Sequence, residues 1–186
     1  MNEIIDKIYR YIEQNNMLTD CERVVVGLSG GADSVCLLMV LKGYIERRRL
    51  QTELCAVHVN HGIRQEAGDD EEFARALCER MGVEFMAYHI DAAGLAKQLG
   101  MSVEEAGRKE RYRIFNEACK GHNARIAVAH HMNDQAETVI MNMARGTSLK
   151  GIRGIVPVRD NICRPLLCIT RQDIESWLVL RNQSFV

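Results

Sequence analysis

The sequence predicts an α/β fold, a doubly wound parallel sheet with helices on both faces. Three observations carry that expectation. Short apolar runs rich in β-branched residues alternate along the chain with stretches of helical periodicity, the signature of βαβ units. The runs are apolar at successive residues rather than at every second one, as strands buried on both faces require. Several of them stop at clusters of glycine, serine, histidine or asparagine, where a strand gives way to a turn.

The elements follow in order. Ile4, Ile5, Ile8, Tyr9 and Ile12 recur at helical spacing and predict an opening amphipathic helix. Arg23–Leu28 predicts a first strand, and Ser34 to about Arg48 a helix with Val35, Leu38, Met39 and Leu41 inward. Thr52–Val59 predicts a second strand, and Asp69–Met81 a helix with Phe73, Ala76, Leu77 and Met81 on its apolar face. Glu84–Ile90 predicts a third strand. Ser102-Val-Glu-Glu105 is a capping box, in which hydroxyl and carboxylate each satisfy an orphan amide, and it opens a helix to about Lys120. Arg125–Ala129 predicts a fourth strand, Asn133–Ala144 a helix stopped by Gly146, and Thr170-x-x-Asp173 caps a last helix carrying Ile174, Trp177 and Leu178.

Composition narrows the function classes. The 186 residues are 47% hydrophobic and 26% charged, with two prolines, which suits one globular domain and argues against long linkers. The N-terminus has early acidic residues and no unbroken apolar core, so it does not read as a signal peptide. No apolar run is long enough to cross a bilayer. Seven cysteines without a C-x-x-C pair predict packed thiols in a reducing cytosol rather than a disulfide framework. The net charge of −1 does not announce nucleic-acid binding. Between Ala144 and Arg171, however, six basic residues (Arg145, Lys150, Arg153, Arg159, Arg164, Arg171) face one acid, Asp160. Such a stretch either meets a polyanion or is a solvated loop. The opposite bias, all acidic, occupies Glu66 to Glu72.

The most informative segment is Ser29-Gly30-Gly31-Ala32-Asp33-Ser34, between the first strand and its helix. The glycines let the backbone turn sharply, and the helix N-terminus offers unpaired amides and the positive end of a dipole. Ser29 and Ser34 add hydroxyls, completing a cradle for an anion such as pyrophosphate. The lysine and spacing of a Walker loop are missing, as is the G-x-G-x-x-G dinucleotide pattern. Asp33 would repel a phosphate unless a cation lay between them, so it predicts Mg²⁺. The bland alternative is a glycine turn whose aspartate caps the helix.

Two further clusters fall at strand ends, where ligands of a doubly wound sheet bind. His58, Asn60, His61 and Arg64 lie within seven residues after the second strand and are placed to line a nucleotide. His130-His-Met-Asn-Asp-Gln-Ala-Glu137 follows the fourth. Asp134 and Glu137, three apart, share a helix face; Asp134 can join Asp33 on Mg²⁺, and Glu137 can orient a cationic nucleophile. A zinc site from His130, His131 and Asp134 is the weaker alternative, because adjacent strand residues point to opposite faces.

The loop SGGADS after an apolar strand resembles the PP-loop of the N-type ATP pyrophosphatases. Together with HVNHGIR, SVEEAGRKERY, HHMNDQAETVIMNMARG and Arg164-Pro-Leu-Leu167, the pattern is similar to the tRNA(Ile)-lysidine synthase family. That resemblance implies an adenine nucleotide α-hydrolase-like fold and an enzyme that adenylates the wobble cytidine of an isoleucine tRNA, then ligates free lysine to it. It implies ATP and Mg²⁺ as cofactors, no membrane, a cytoplasmic location, and leaves a homodimer open. Carried onto this chain, Ser29, Gly30, Gly31, Ala32, Asp33 and Ser34 bind ATP with His58, Asn60 and Arg64. Asp33 and Asp134 hold the metal. His131, Asp134, Glu137 and Arg111 meet the other substrates, and Asp33, Asp134 and Glu137 are the catalytic set. Residues 1–186 are then expected to be one PP-loop domain, truncated before the family's C-terminal tRNA-binding domains, and to bind ATP without forming lysidine. The missing C-x-x-C pairs count against the cluster-dependent thiolases of the same superfamily. Another adenylating ligase, or a module that binds ATP without splitting it, are the remaining readings.

Overall fold

A computed structural model describes residues 2–60, 67–146 and 154–186. The chain runs α1 (Asn2–Gln14), β1 (Arg23–Gly27), α2 (Ala32–Arg48), β2 (Glu53–Asn60), α3 (Ala67–Met81), β3 (Glu84–His89), α4 (Ala92–Leu99), α5 (Val103–Ala118), β4 (Ala124–Ala127), α6 (Met132–Ala144), β5 (Val158–Arg159), β6 (Ile162–Cys163) and α7 (Arg171–Val179), with a 3-10 turn at Pro165–Cys168.

These strands form one sheet in the order β3-β2-β1-β4-β6-β5. All neighbours are parallel except β5, which runs antiparallel to β6 at the edge. The doubly wound parallel sheet expected from the sequence is the one the chain forms, and a hairpin of two-residue strands, which needs no crossover helix, adds a single antiparallel pair at its edge. The chain builds outward from β1 through β2 to β3, then returns through α4 and α5 to β4 on the other side of β1. A switch point therefore lies between β1 and β4, where a doubly wound sheet opens a crevice.

Alternation along β1 divides the core. Val24 and Val26 pack with Leu37, Leu38 and Leu41 of α2, Leu77 of α3, Ile174 and Trp177 of α7, and Ile8 and Ile12 of α1. Val25 points the other way, joining Cys55, Val57 and Ile126 beneath Ile114 and Phe115 of α5. Helices thus cover both faces, the thinner layer being α5. Gly27 ends β1 under Phe115, whose ring would lie 2.7 Å from an added Cβ, so glycine lets α5 sit close to the sheet. No described helix is long and apolar enough to cross a membrane.

Candidate active site

A cavity of about 640 Å³ opens over the C-terminal ends of β1, β2 and β4, lined from the phosphate loop, from those strand tips and from α5. Its position is set by the sheet: β1 and its two neighbours release the chain at one level, with Gly27 beside Val57 and Val26 beside Ala127.

The phosphate loop is built as its residues suggest. Gly30 has φ +92°, a conformation costly for any side chain. The serine hydroxyls knit the turn: Ser29 N–H donates to Ser34 Oγ at 3.2 Å, and Ser34 Oγ donates to the Gly31 carbonyl at 2.9 Å. Gly31 is the N-cap of α2 and supplies no side-chain cap, which leaves the first helical amides for an anion. Asp33 lies in the first turn rather than at the cap, against the alternative in which it merely caps. At the C-terminal end of the chain, the Val186 N–H donates to the Gly30 carbonyl at 3.1 Å.

The carboxylates expected to work together are brought together. His131, buried as the N-cap of α6, lies between them. Its Nε2 is 3.7 Å from Asp33 Oδ2 and its Nδ1 is 3.4 Å from Asp134 Oδ2, while its backbone N–H donates to Asp134 Oδ2 at 2.8 Å. Asp33 Oδ2 also accepts from Arg171 Nη1. Asp33 Oδ1 is buried without a hydrogen-bond partner among the described residues, a costly state for a carboxylate oxygen and one that a cation relieves. Asp33, Asp134 and the loop suit Mg²⁺, which takes one or two protein carboxylates and draws its other ligands from phosphate and water. Zinc is not supported: among the described residues no three His, Cys, Asp or Glu side chains gather as a metal site, whereas zinc takes three or four protein ligands.

His58 and Asn60 of β2 line the cavity, as does Arg111 of α5. His58 is buried, with Nδ1 2.9 Å from the Leu28 carbonyl, tying β2 to the loop. His131, by contrast, is packed between the carboxylates and is not part of the cavity wall; Glu137 is exposed further along α6 and is also off the wall. Arg64 and His61 lie outside the described residues, as do Glu66, Lys150 and Arg153 of the charged stretches.

Other site residues were not anticipated. Arg108, Tyr112 and Phe115 line the cavity from α5; with Arg111 they stand three and four apart, a helical-face signal that was available. Asp70 of α3 joins the wall, hidden in an acidic run. Arg171 pairs with both Asp33 and Glu175, and its backbone N–H donates to Asn133 Oδ1 at 3.0 Å. Arg164 is buried, donating from Nε to His130 Nδ1 at 3.1 Å and from Nη1 to the Val156 carbonyl at 2.9 Å. Two members of the basic stretch therefore serve the site's interior instead of forming a solvated stripe.

Comparison with known proteins agrees with this layout. The PP-loop domain family model matches residues 2–186. The chain is 44% identical over 182 residues to the tRNA(Ile)-lysidine synthase of Caldanaerobacter subterraneus subsp. tengcongensis, covering 96% of this chain and 38% of that protein. It is 43% identical over 182 residues to the tRNA(Ile)-lysidine synthase of Clostridioides difficile, covering 96% and 39%. The chain thus spans about two fifths of the length of these curated relatives. Among solved structures, the U34-tRNA thiolase NcsA from Methanococcus maripaludis with its [4Fe-4S] cluster superposes with a TM-score of 0.76 at 23% identity, over 100% of this chain and 65% of that one. The NH3-dependent NAD synthetase from Campylobacter jejuni superposes with a TM-score of 0.67 at 19% identity, over 97% and 73%. These two likenesses establish the fold.

Proposed function

The chain belongs to the PP-loop domain family, and from that premise we propose that it is the ATP-using catalytic domain of an enzyme that adenylates the wobble cytidine of an isoleucine tRNA with a CAU anticodon and ligates lysine to it. The cytidine carbon-2 oxygen attacks the α-phosphorus of ATP, and pyrophosphate leaves. The lysine ε-amine then attacks carbon-2, the carbon–oxygen bond breaks, and AMP departs. Adenylation turns a poor leaving oxygen into a good one.

The observation that carries this reading is the meeting of Asp33 and Asp134 on His131 beside the amides of an uncapped helix start. Identity of 43–44% to lysidine synthases supports the choice of substrates. In this reading Ser29, Gly30, Gly31, Ala32 and Ser34 cradle the β- and γ-phosphates, with His58, Asn60 and Arg64 beside the nucleoside. Asp33 and Asp134 hold Mg²⁺, which when bound offsets charge growing on the departing pyrophosphate. Arg111, joined by Arg108, faces phosphate of the RNA. Asp134 and Glu137 receive the lysine ammonium and the proton it must shed before attack, and His131 keeps the carboxylates in place. Glu137, exposed and off the cavity wall, fits a substrate that enters from outside the nucleotide cavity. The reaction belongs in the cytosol.

The test uses the full reading frame to which these residues belong, with ATP, lysine and an isoleucine tRNA transcript. Mass spectrometry of the anticodon nucleosides is expected to show lysidine, with stoichiometric AMP. Asp33→Ala is expected to abolish turnover while ATP still binds. Release of AMP without lysidine would point to another adenylating ligase. Binding of ATP without cleavage, even with tRNA present, would leave a nucleotide-sensing module.

A further inference from the structure

His58 and His130 stand at the tips of the two strands that flank β1, both on the cavity wall, and their neighbours fix them in opposite tautomers. A carbonyl oxygen can only accept, so His58 Nδ1, 2.9 Å from the Leu28 carbonyl, carries a ring proton, and the neutral form of the ring that fits this contact is the Nδ1–H tautomer. An arginine Nε–H can only donate, so His130 Nδ1, 3.1 Å from Arg164 Nε, is bare. The neutral His130 ring therefore carries its proton on Nε2.

Arg164 is well held for this task. It is 6% exposed; its Nη1 donates to the Val156 carbonyl at 2.9 Å and its backbone N–H to the Pro157 carbonyl at 3.0 Å. A second proton on His130 would set N–H against N–H and cation against guanidinium. Burial first, and then Arg164, hold the His130 imidazolium below its usual range; Arg108 and His131 act in the same sense and Asp134 opposes them.

We propose that His130 donates a hydrogen bond from Nε2–H to an acceptor oxygen or ring nitrogen of a nucleotide in the cavity, and that Arg164 is the positioning residue that sets this tautomer. The inference rests on the cavity being the nucleotide site proposed above. It also removes His130 from the candidates for general base, because its lone pair faces a guanidinium. Of the groups considered, the lysine proton is left to Asp134 and Glu137.

The test is a long-range proton–nitrogen NMR correlation of the histidine rings at neutral pH in the nitrogen-15-labelled chain. His130 is expected as the Nε2–H tautomer and His58, an internal reference of opposite sense, as Nδ1–H. Arg164→Met is expected to abolish the His130 preference and Arg164→Lys, which keeps a donor, to retain it. Nδ1–H or a doubly protonated ring at His130 in the parent chain overturns the proposal, whichever variants fold. Binding supplies the second arm. His130→Gln keeps an N–H near the Nε2 position and His130→Asn does not, so Asn is expected to bind about tenfold more weakly than Gln, the scale of one hydrogen bond. Titration with ATP and with a CAU anticodon-loop RNA tells which nucleotide supplies the acceptor. Equal binding of both ligands by Gln, Asn and parent overturns the proposal while leaving the ATP site intact. Absence of ATP binding in the parent chain instead defeats the functional reading, and the NMR result still decides the tautomer.

Discussion

Asp33 shows how one side chain can be both a hazard and a resource. An anion beside a phosphate nest repels its ligand, and here Arg171 supplies a cation to Oδ2 while Oδ1 has no hydrogen-bond partner among the described residues. Arg171→Gln removes that cation, so ATP should bind more weakly, and the loss should be larger in EDTA than in excess Mg²⁺, where a metal can take over the neutralising role. Calorimetric titration under the two conditions checks this; equal losses would mean that Arg171 acts on the fold instead of on the charge. Gly27 makes a steric counterpart. An alanine there meets the Phe115 ring at 2.7 Å, and the ring, on the cavity wall between β1 and α5, has to move. Gly27→Ala is expected to cost about 1–3 kcal/mol, the range for overpacking, and to weaken ATP binding as well. A urea titration with a parallel binding curve separates the two effects.

Among the elements, α7 links a cap to the site. Thr170 Oγ1 accepts from the Asp173 N–H at 3.1 Å, and Asp173 Oδ2 accepts from the Thr170 N–H at 2.9 Å, so the cap sits one residue before Arg171, the first helical residue, which reaches Asp33. Thr170→Ala should cost about 1 kcal/mol and should weaken ATP binding through Arg171, whereas an ordinary surface cap would affect stability alone. The hydrogen bonds from Thr170 hold the Asp173 carboxyl below the usual carboxylate range. The stabilisation it brings is therefore present above its unfolded value and is lost as pH falls through the lower folded one. Asp173→Asn should flatten the acid limb of the stability curve, as thermal melts between pH 2 and 5 would reveal. This cap was legible in the residues, as were the capping box of Ser102, the first four strands and the loop at Ser29, because each is a local pattern. The hairpin β5–β6 was not: strands of two residues carry no periodicity. Helix α4 also escaped, although Asp91 caps Gly94 and Gly100 closes it in the left-handed region. The ion pair of Asp33 with Arg171 spans 138 residues, and the contact of Arg164 with His130 likewise depends on how the sheet edge folds back. No spacing rule reaches such partners. That limit explains why the arginine partners of Asp33 and His130 first emerge from the structure.

At the scale of the whole molecule, the seven free thiols couple the core to pH. Burial raises each of them: Cys36, Cys78 and Cys163 to about 12, Cys55, Cys119 and Cys168 to about 11, and Cys21 in the same direction. They are thiols in the fold, inert as nucleophiles near neutral pH. Unfolding returns them to an ordinary value of about 8.5. Above that pH the unfolded chain releases protons that the fold retains, so stability is complete below about 8.5 and falls until the folded values are reached. The three thiols raised furthest, Cys36, Cys78 and Cys163, lose about 1.4 kcal/mol each per pH unit within that window, which exhausts a domain of ordinary stability within a few units. The chain should therefore unfold cooperatively between about pH 9 and 12, and a thiol reagent should label Cys36, Cys78 and Cys163 only as fast as the molecule opens. Cys78→Ala should make the alkaline limb shallower by one thiol's share even though it leaves a small cavity in the core. Urea midpoints measured from pH 8 to 11 supply the test: a flat profile would mean that these sulfurs ionise inside the fold, and that the two-faced core that positions the site is wetter than its packing implies.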